Sequence, residues 1–303
     1  MKLEEGIINF KNFLLAKQCV SPNTLDAYSR DLKQFTEYLN GVVIWCGQIT
    51  TDHIKSFLHL LQKNDISARS RSRKISCLRK FFEFVALQEH IQNPMKSVFL
   101  PKLEKKLPQF LTESETEQLL KTAARAKTPA EERNKVMLYI LYACGLRISE
   151  LVGLKTSQLD FSSGFIKIAG KGGKERLIPL QQDMINLLNE YLESTYSQLL
   201  STQDQATAPD ILFPVYYGKR LKPLTRQSFW VYLKKVAFQA GIHKDVSPHQ
   251  LRHSLATHLL KNGADLRSLQ LLLGHEQLET VQIYTHVETS HLRKIYDAKH
   301  PRS

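Results

Sequence analysis

The chain has 303 residues, room for two domains of ordinary size, and 42% of them are apolar, which excludes wholesale disorder. Lysine and arginine number 42 against 29 aspartates and glutamates, a formal charge of +13. The surplus is shared: residues 1–104 carry 15 basic and 10 acidic groups, residues 105–303 carry 27 and 19. Such a distribution suits a long polyanion held by the whole molecule, and equally a merely basic protein. The four cysteines, at 19, 46, 77 and 144, form no CxxC pair, which argues against a disulfide framework or a thiolate zinc site. The longest apolar run, Val136 to Leu146, has 11 residues where a bilayer span needs about 20, so a buried helix is expected. MKLEEGIINFKNFLLAK has no signal-peptide apolar core, and the expected location is the cytoplasm.

In chain order, the first hundred residues read as helices. Ser21-Pro22 offers an N-cap and a first-turn proline, and Leu25, Tyr28, Leu32, Phe35 and Leu39 then mark one helix face. Residues 51–63 repeat the pattern with Ile54, Phe57, Leu58 and Leu61. Residues 67–89 open on SARSRSRK and continue with Leu78, Phe81, Phe82 and Val85. With the N-terminal stretch before Ser21 as a further helix, four such helices make a small bundle over residues 1–97. VFLPKLEKKLP then breaks the periodicity with two prolines among three lysines, placing a linker at 98–108 and a second domain at 109–303.

The second domain opens on a capping box, Thr112 with Glu115. Thr128-Pro129 starts the apolar helix that Gly145 stops. Residues 159–180 alternate in polarity around Ser163-Gly164 and GKGG, the pattern of a short antiparallel meander. A helix follows near 181–199, then the polar loop STQDQATAP. Helices resume at Thr225, Ser247-Pro248 and Asp265, with Gly241, Gly263 and Gly274 as stops. The fold class expected is mainly α with a small antiparallel sheet.

Several polar residues stand where the fold does not require them. Arg147 follows the Gly145 stop, and Lys171 lies in the GKGGK turn. His249 and Arg252 are three apart on one helix face near its N-terminus, a place that suits a phosphate oxygen. His275 follows a helix stop, and Tyr284 lies nine residues later. Taken singly each has a plain structural explanation: a snorkelling arginine, a turn lysine, a histidine on a helix dipole, a half-buried tyrosine. His249 and His253 do not make a zinc helix, because Gln250 stands where HExxH needs glutamate, and GKGGKER matches no phosphate-binding P-loop.

Their order and spacing together are distinctive. GLRISELVGL, GKGGKERLIPL, SPHQLRHSLATHLL, LLGHEQLETVQIYTH and the terminal HPRS resemble, in that order, the tyrosine recombinases of the phage integrase family. The likeness runs almost end to end and is nearest to the bacterial Xer group, on its XerD-like side. IYDAKHPRS has some XerC character.

The resemblance implies a two-domain DNA clamp, an N-terminal core-binding domain with a catalytic domain. Tyr284 would be the nucleophile, with Arg147, Lys171, His249, Arg252 and His275 around the scissile phosphate and Glu150 behind Arg147. It implies site-specific recombination of duplex DNA through a covalent 3′-phosphotyrosyl intermediate and a Holliday junction, with no metal, cofactor or ATP. A tetramer with a second Xer recombinase, a septal DNA translocase as partner and the resolution of chromosome dimers go with that group. The alternatives are a phage or mobile-element integrase and a DNA-binding protein without catalysis. Close relatives read LSTTQIYTH where this chain has LETVQIYTH, a change that touches no catalytic group. Arg69, Arg71, Arg73 and Lys74 are expected on a DNA-facing helix, and the tail HLRKIYDAKH is a candidate to dock on a neighbouring subunit.

Overall fold

The computed structural model describes residues 1–17, 20, 22–39, 41, 45–99, 110–169, 175–200, 209–274, 296, 298–299 and 301. Lys171, His275 and Tyr284 lie outside the described residues, as does the expected linker beyond Phe99. The chain divides into two compact units, Met1–Leu107 and Pro108–Ser303.

The first unit is a bundle of α1 (Leu3–Ala16), α2 (Pro22–Leu39), α3 (Thr51–Lys63) and α4 (Ala68–Glu89). Caps define the starts: Thr50 Oγ1 accepts from the His53 N–H at 3.4 Å, and Ser67 Oγ from the Ser70 N–H at 3.2 Å. The periodic residues Leu32 and Phe35 of α2, Phe57 of α3 and Phe81 and Phe82 of α4 meet in one core. Their rings pack edge to face, Phe35 against Phe57 and Phe81 against Phe82, each pair 5.1 Å apart. Val98, at the expected start of the linker, is buried in this core, and its carbonyl accepts from Arg79 Nη2 at 2.9 Å.

The second unit opens on α5 (Glu113–Ala123), where the Thr112–Glu115 capping box closes in both directions, at 2.7 and 3.1 Å. α6 (Pro129–Cys144) is the central helix. Val136, Met137, Leu138, Ile140 and Leu141 are all buried, so it is apolar on every side, as a helix surrounded by others must be. It packs against α5, α7 (Ile148–Val152), α8 (Gln182–Glu190), α9 (Arg226–Gln239) and α10 (Pro248–Lys261). α11 (Leu266–Leu273) follows α10.

The meander forms as β1 (Leu159–Asp160), β2 (Phe165–Ala169) and β3 (Glu175–Pro179), paired antiparallel in that order. Residues 170–174, with Lys171, connect β2 to β3 beyond the last pair, Ala169 with Glu175. A second hairpin, β4 (Pro214–Tyr217) and β5 (Arg220–Pro223), has no counterpart in the sequence reading. Its strands are only four residues long, and Pro214 opens the first while Pro223 closes the second. The molecule is mainly α with small antiparallel sheets. Tyr296, in the tail expected to reach a neighbour, is 2% exposed inside its own unit and donates to the Ala143 carbonyl at 2.7 Å.

Candidate active site

Gly145 ends α6 in the left-handed region, with φ of +57°. A Cβ there would lie 2.8 Å from a Leu273 methyl and 2.9 Å from a Leu255 methyl, so the turn needs glycine for its conformation and for the approach of α10 and α11. The turn delivers Arg147 as the N-cap of α7. The Arg147 N–H donates to Glu150 Oε2 at 2.8 Å, Nη1 to Glu150 Oε1 at 2.9 Å, and Nη2 to the Gly274 carbonyl at 2.8 Å. Its side chain remains 42% exposed, so the guanidinium is aimed and still open to a ligand.

Glu150 is shared. Arg176 on β3 donates Nη1 to Oε1 at 2.9 Å and Nη2 to Oε2 at 2.8 Å, a bidentate fork, and its Nε donates to the Leu272 carbonyl at 3.2 Å. Burial alone would raise the Glu150 pKa, but Arg176 and then Arg147 overcome it and hold the carboxyl down to about 2.

Arg252, in the second turn of α10, is 7% exposed and has no carboxylate partner among the described residues. Nη1 donates to the Gly145 carbonyl and Nη2 to the Leu273 carbonyl, so main-chain oxygens orient it without neutralising it. Burial lowers its pKa, with repulsion from Arg147 and Arg176 adding to the effect, to about 10. That is still far above neutrality, and the guanidinium stays charged. Three guanidiniums thus gather around one carboxylate, leaving two positive charges in excess. Such a surplus, backed by buried carbonyls, is built to receive an anion.

His249 lies in the first turn of α10, whose start is fixed by Ser247 Oγ accepting from the Gln250 N–H at 3.3 Å. The structure therefore brings Arg147, Glu150 and Arg252 together, with His249 three residues from Arg252. The residue before His275, Gly274, is held by Arg147. Among the described residues no three histidine, cysteine, aspartate or glutamate side chains could hold a metal ion, and no helix is long and apolar enough to cross a membrane.

Arg176 is the member that the sequence reading misses. Its signal is parity: it falls in step with Ile178 on β3 and opposite Ile168 on β2, both buried. An arginine on the inward side of a strand needs a partner inside.

The basic run of α4 is split. Arg69 and Arg73 reach the surface and Arg71 is half-buried, but Lys74 is 7% exposed. Its Nζ donates to Asp31 Oδ1 at 2.7 Å and Gln34 Oε1 at 2.6 Å. Lys74 is thus corrected from a DNA-facing position to an internal one. The reason is its phase: 74, 78, 81 and 85 form the stripe that α4 turns to the core. Arg73 reaches the other Asp31 oxygen and the Ala27 carbonyl, the latter at 3.2 Å.

Residues 109–291 match the Phage integrase family, and residues 7–89 match the family's N-terminal SAM-like domain. The chain belongs to the phage integrase family. The tyrosine recombinase XerD of Oceanobacillus iheyensis is 39% identical over 305 residues, covering 99% of this chain and all of that protein. XerD of Pseudomonas aeruginosa is 41% identical over 302 residues, covering 99% of each. Among solved structures, the XerH site-specific recombinase bound to a palindromic difH substrate, a post-cleavage complex, aligns with a TM-score of 0.68 at 25% identity, over 89% of this chain and 78% of that one. The integrase of transposon Tn1549 with right-end DNA shares the fold, with a TM-score of 0.70 at 18% identity over 97% and 99%. The chain is a tyrosine recombinase, a site-specific enzyme that cuts and rejoins DNA.

Proposed function

We propose that this recombinase acts on duplex DNA through Tyr284. Its phenolic oxygen attacks the scissile phosphorus, forming a 3′-phosphotyrosyl bond and releasing a 5′ oxygen. A 5′-hydroxyl from a second duplex then attacks that bond, frees Tyr284 and builds the Holliday junction. One phosphodiester replaces another, so the bond energy is kept and no nucleotide is consumed.

The observation that carries this reading is the convergence of Arg147, Arg176 and Arg252 around Glu150, which leaves two positive charges in excess. The pentavalent transition state gathers charge on its non-bridging oxygens. Two preorganised guanidiniums meet that charge, each with further N–H donors beyond those bound to protein. An unperturbed tyrosine has a pKa of about 10, so Tyr284 must lose its proton as it attacks. His249 is the acceptor, Lys171 donates to the departing 5′ oxygen, and His275 donates to a phosphate oxygen. Glu150 acts through Arg147 and Arg176, as a positioning residue. Arg69, Arg71 and Arg73 contact the DNA backbone from α4.

The near full-length likeness to XerD proteins supports a chromosomal duty, the resolution of chromosome dimers at cell division. With it go a cytoplasmic location, a tetramer completed by a second recombinase on two DNA sites, and control by a septal DNA translocase. A nicked suicide substrate tests the chemistry. The parent protein is expected to leave a covalent protein–DNA adduct that Tyr284→Phe cannot form. An adduct that survives in Tyr284→Phe refutes the reading.

A further inference from the structure

Also on α10, apart from His249 and Arg252, lies a buried polar network for which the reaction above has no use. Ser254 and His258 stand one turn apart there, 0% and 1% exposed. Together they hold the backbone of one residue at both its polar groups. The Leu111 N–H donates to Ser254 Oγ at 2.8 Å, and the Leu111 carbonyl lies 2.8 Å from His258 Nε2. A carbonyl only accepts, so Nε2 carries the ring proton and Nδ1 accepts from the Tyr142 hydroxyl at 2.9 Å. Ser254 also donates to the Gln250 carbonyl at 2.8 Å. Both side chains are satisfied, and any half-made version would leave a bare polar group in the interior.

Connectivity gives this network a direction. Leu111 lies just inside the second unit, which begins at Pro108, so the network ties one of the first described residues of that unit to α10. Tyr142 lies three residues before Gly145, whose carbonyl holds Arg252. α6 and α10 are therefore joined twice, through Tyr142 with His258 and through Gly145 with Arg252.

We propose that Ser254 and His258 are positioning residues for the recombination reaction. They latch the incoming chain at Leu111 onto the helix that carries Arg252, so that displacement of that chain is transmitted to the arginine and to cleavage. The latch is a feature of the second unit that sets the rate of strand cutting, separately from DNA affinity. It rests on the assignment of Arg252 to the phosphate.

The test uses the full chain on a nicked suicide DNA, with adduct formation followed in a single turnover at saturating protein. DNA affinity and thermal melting are measured alongside. His258→Phe keeps a ring and removes both hydrogen bonds. It is expected to cleave at least tenfold more slowly at saturation while its DNA affinity stays within twofold of the parent. His258→Gln, with a donor and an acceptor, is expected to recover the rate to within threefold. Ser254→Ala, a smaller perturbation should the phenylalanine variant not fold, is expected to slow cleavage three- to tenfold at unchanged affinity.

The latch is overturned if Ser254→Ala and His258→Phe both cleave at the parent rate. It is equally overturned if cleavage, affinity and melting temperature fall together in the folded variants, or if a folded His258→Gln remains as slow as His258→Phe. Arg252→Ala separates this idea from the reading beneath it. An adduct formed at the parent rate by Arg252→Ala removes the phosphate assignment itself, whereas its loss there beside normal cleavage by the latch variants removes only the latch.

Discussion

Asp31 in the first unit and Glu150 in the second each hold two cations, with opposite consequences for a bound anion. Asp31 accepts from Arg73 and from Lys74, whose side chains are 43% and 9% exposed. Lys74 is drawn into the core, so the pairing subtracts one charge from the basic side of α4. Glu150 accepts from Arg147 and Arg176, but Arg252 beside them is oriented by carbonyls alone, so positive charge accumulates. A tally of lysines and arginines cannot separate the two cases. What separates them is whether the carboxylate sits in a helix's core stripe or at the start of a helix beside main-chain oxygens.

The largest expected effect lies at Asp31. Asp31→Asn leaves the buried Lys74 ammonium without a counter-charge and should cost about 3–5 kcal/mol of stability in urea unfolding. Adding Lys74→Met should return much of that loss, since a well-packed apolar pair often matches a buried ion pair. Failure of the double variant to recover would mean that the pair is needed for more than charge balance. At the other carboxylate, Arg252→Lys keeps the charge but loses the planar fork. Cleavage of the suicide substrate should fall by about 10²–10³, with DNA affinity within a few-fold.

Glu150 gives the third contrast, and its sign follows from its depressed pKa. Its folded value of about 2 lies below the ordinary 4.5, so its stabilisation is complete above pH 4.5 and is lost as pH falls toward 2. The contribution is about 3 kcal/mol. Glu150→Gln should be less stable than the parent at pH 7, and the difference should shrink across that acid window. A constant difference would assign the loss to packing. The smallest effect is expected at the surface of α4. Arg69→Gln with Arg71→Gln should reduce the slope of log affinity against log salt by about 0.9 for each phosphate that the variant no longer neutralises. Asp31→Asn, assayed where it remains folded, should leave that slope close to the parent's.

The parts of the structure that can be read from the sequence are those set by local chemistry. Thr112 with Glu115, Thr128-Pro129 and the Gly145 stop act on their own backbone, and each stands where the residues imply. The meander is legible because Ile166 and Ile168 alternate with exposed neighbours. What is not legible depends on partners far along the chain. Lys74 groups with the arginines before it because they adjoin in sequence, although its spacing to Leu78 and Phe81 puts it among core residues. Arg176 looks like one more charge in GKGGKER, since Glu150 lies 26 residues away and nothing local announces the fork. The latch at Leu111 spans 143 residues to Ser254 and 147 to His258, and no periodicity encodes it.

The main-chain seats of Arg252 have a consequence for altering this protein. Carbonyl oxygens belong to every residue type, so nearby side chains can drift or be redesigned without unseating the guanidinium, provided the polypeptide follows the same path. The positions that tolerate least are those that shape the path itself. At Gly145 a methyl group would collide with Leu255 and Leu273, and at Gly274, with φ of +64°, it would press on Arg176 at 3.1 Å. Libraries aimed at new target sites can vary the surroundings broadly and should leave those two glycines alone.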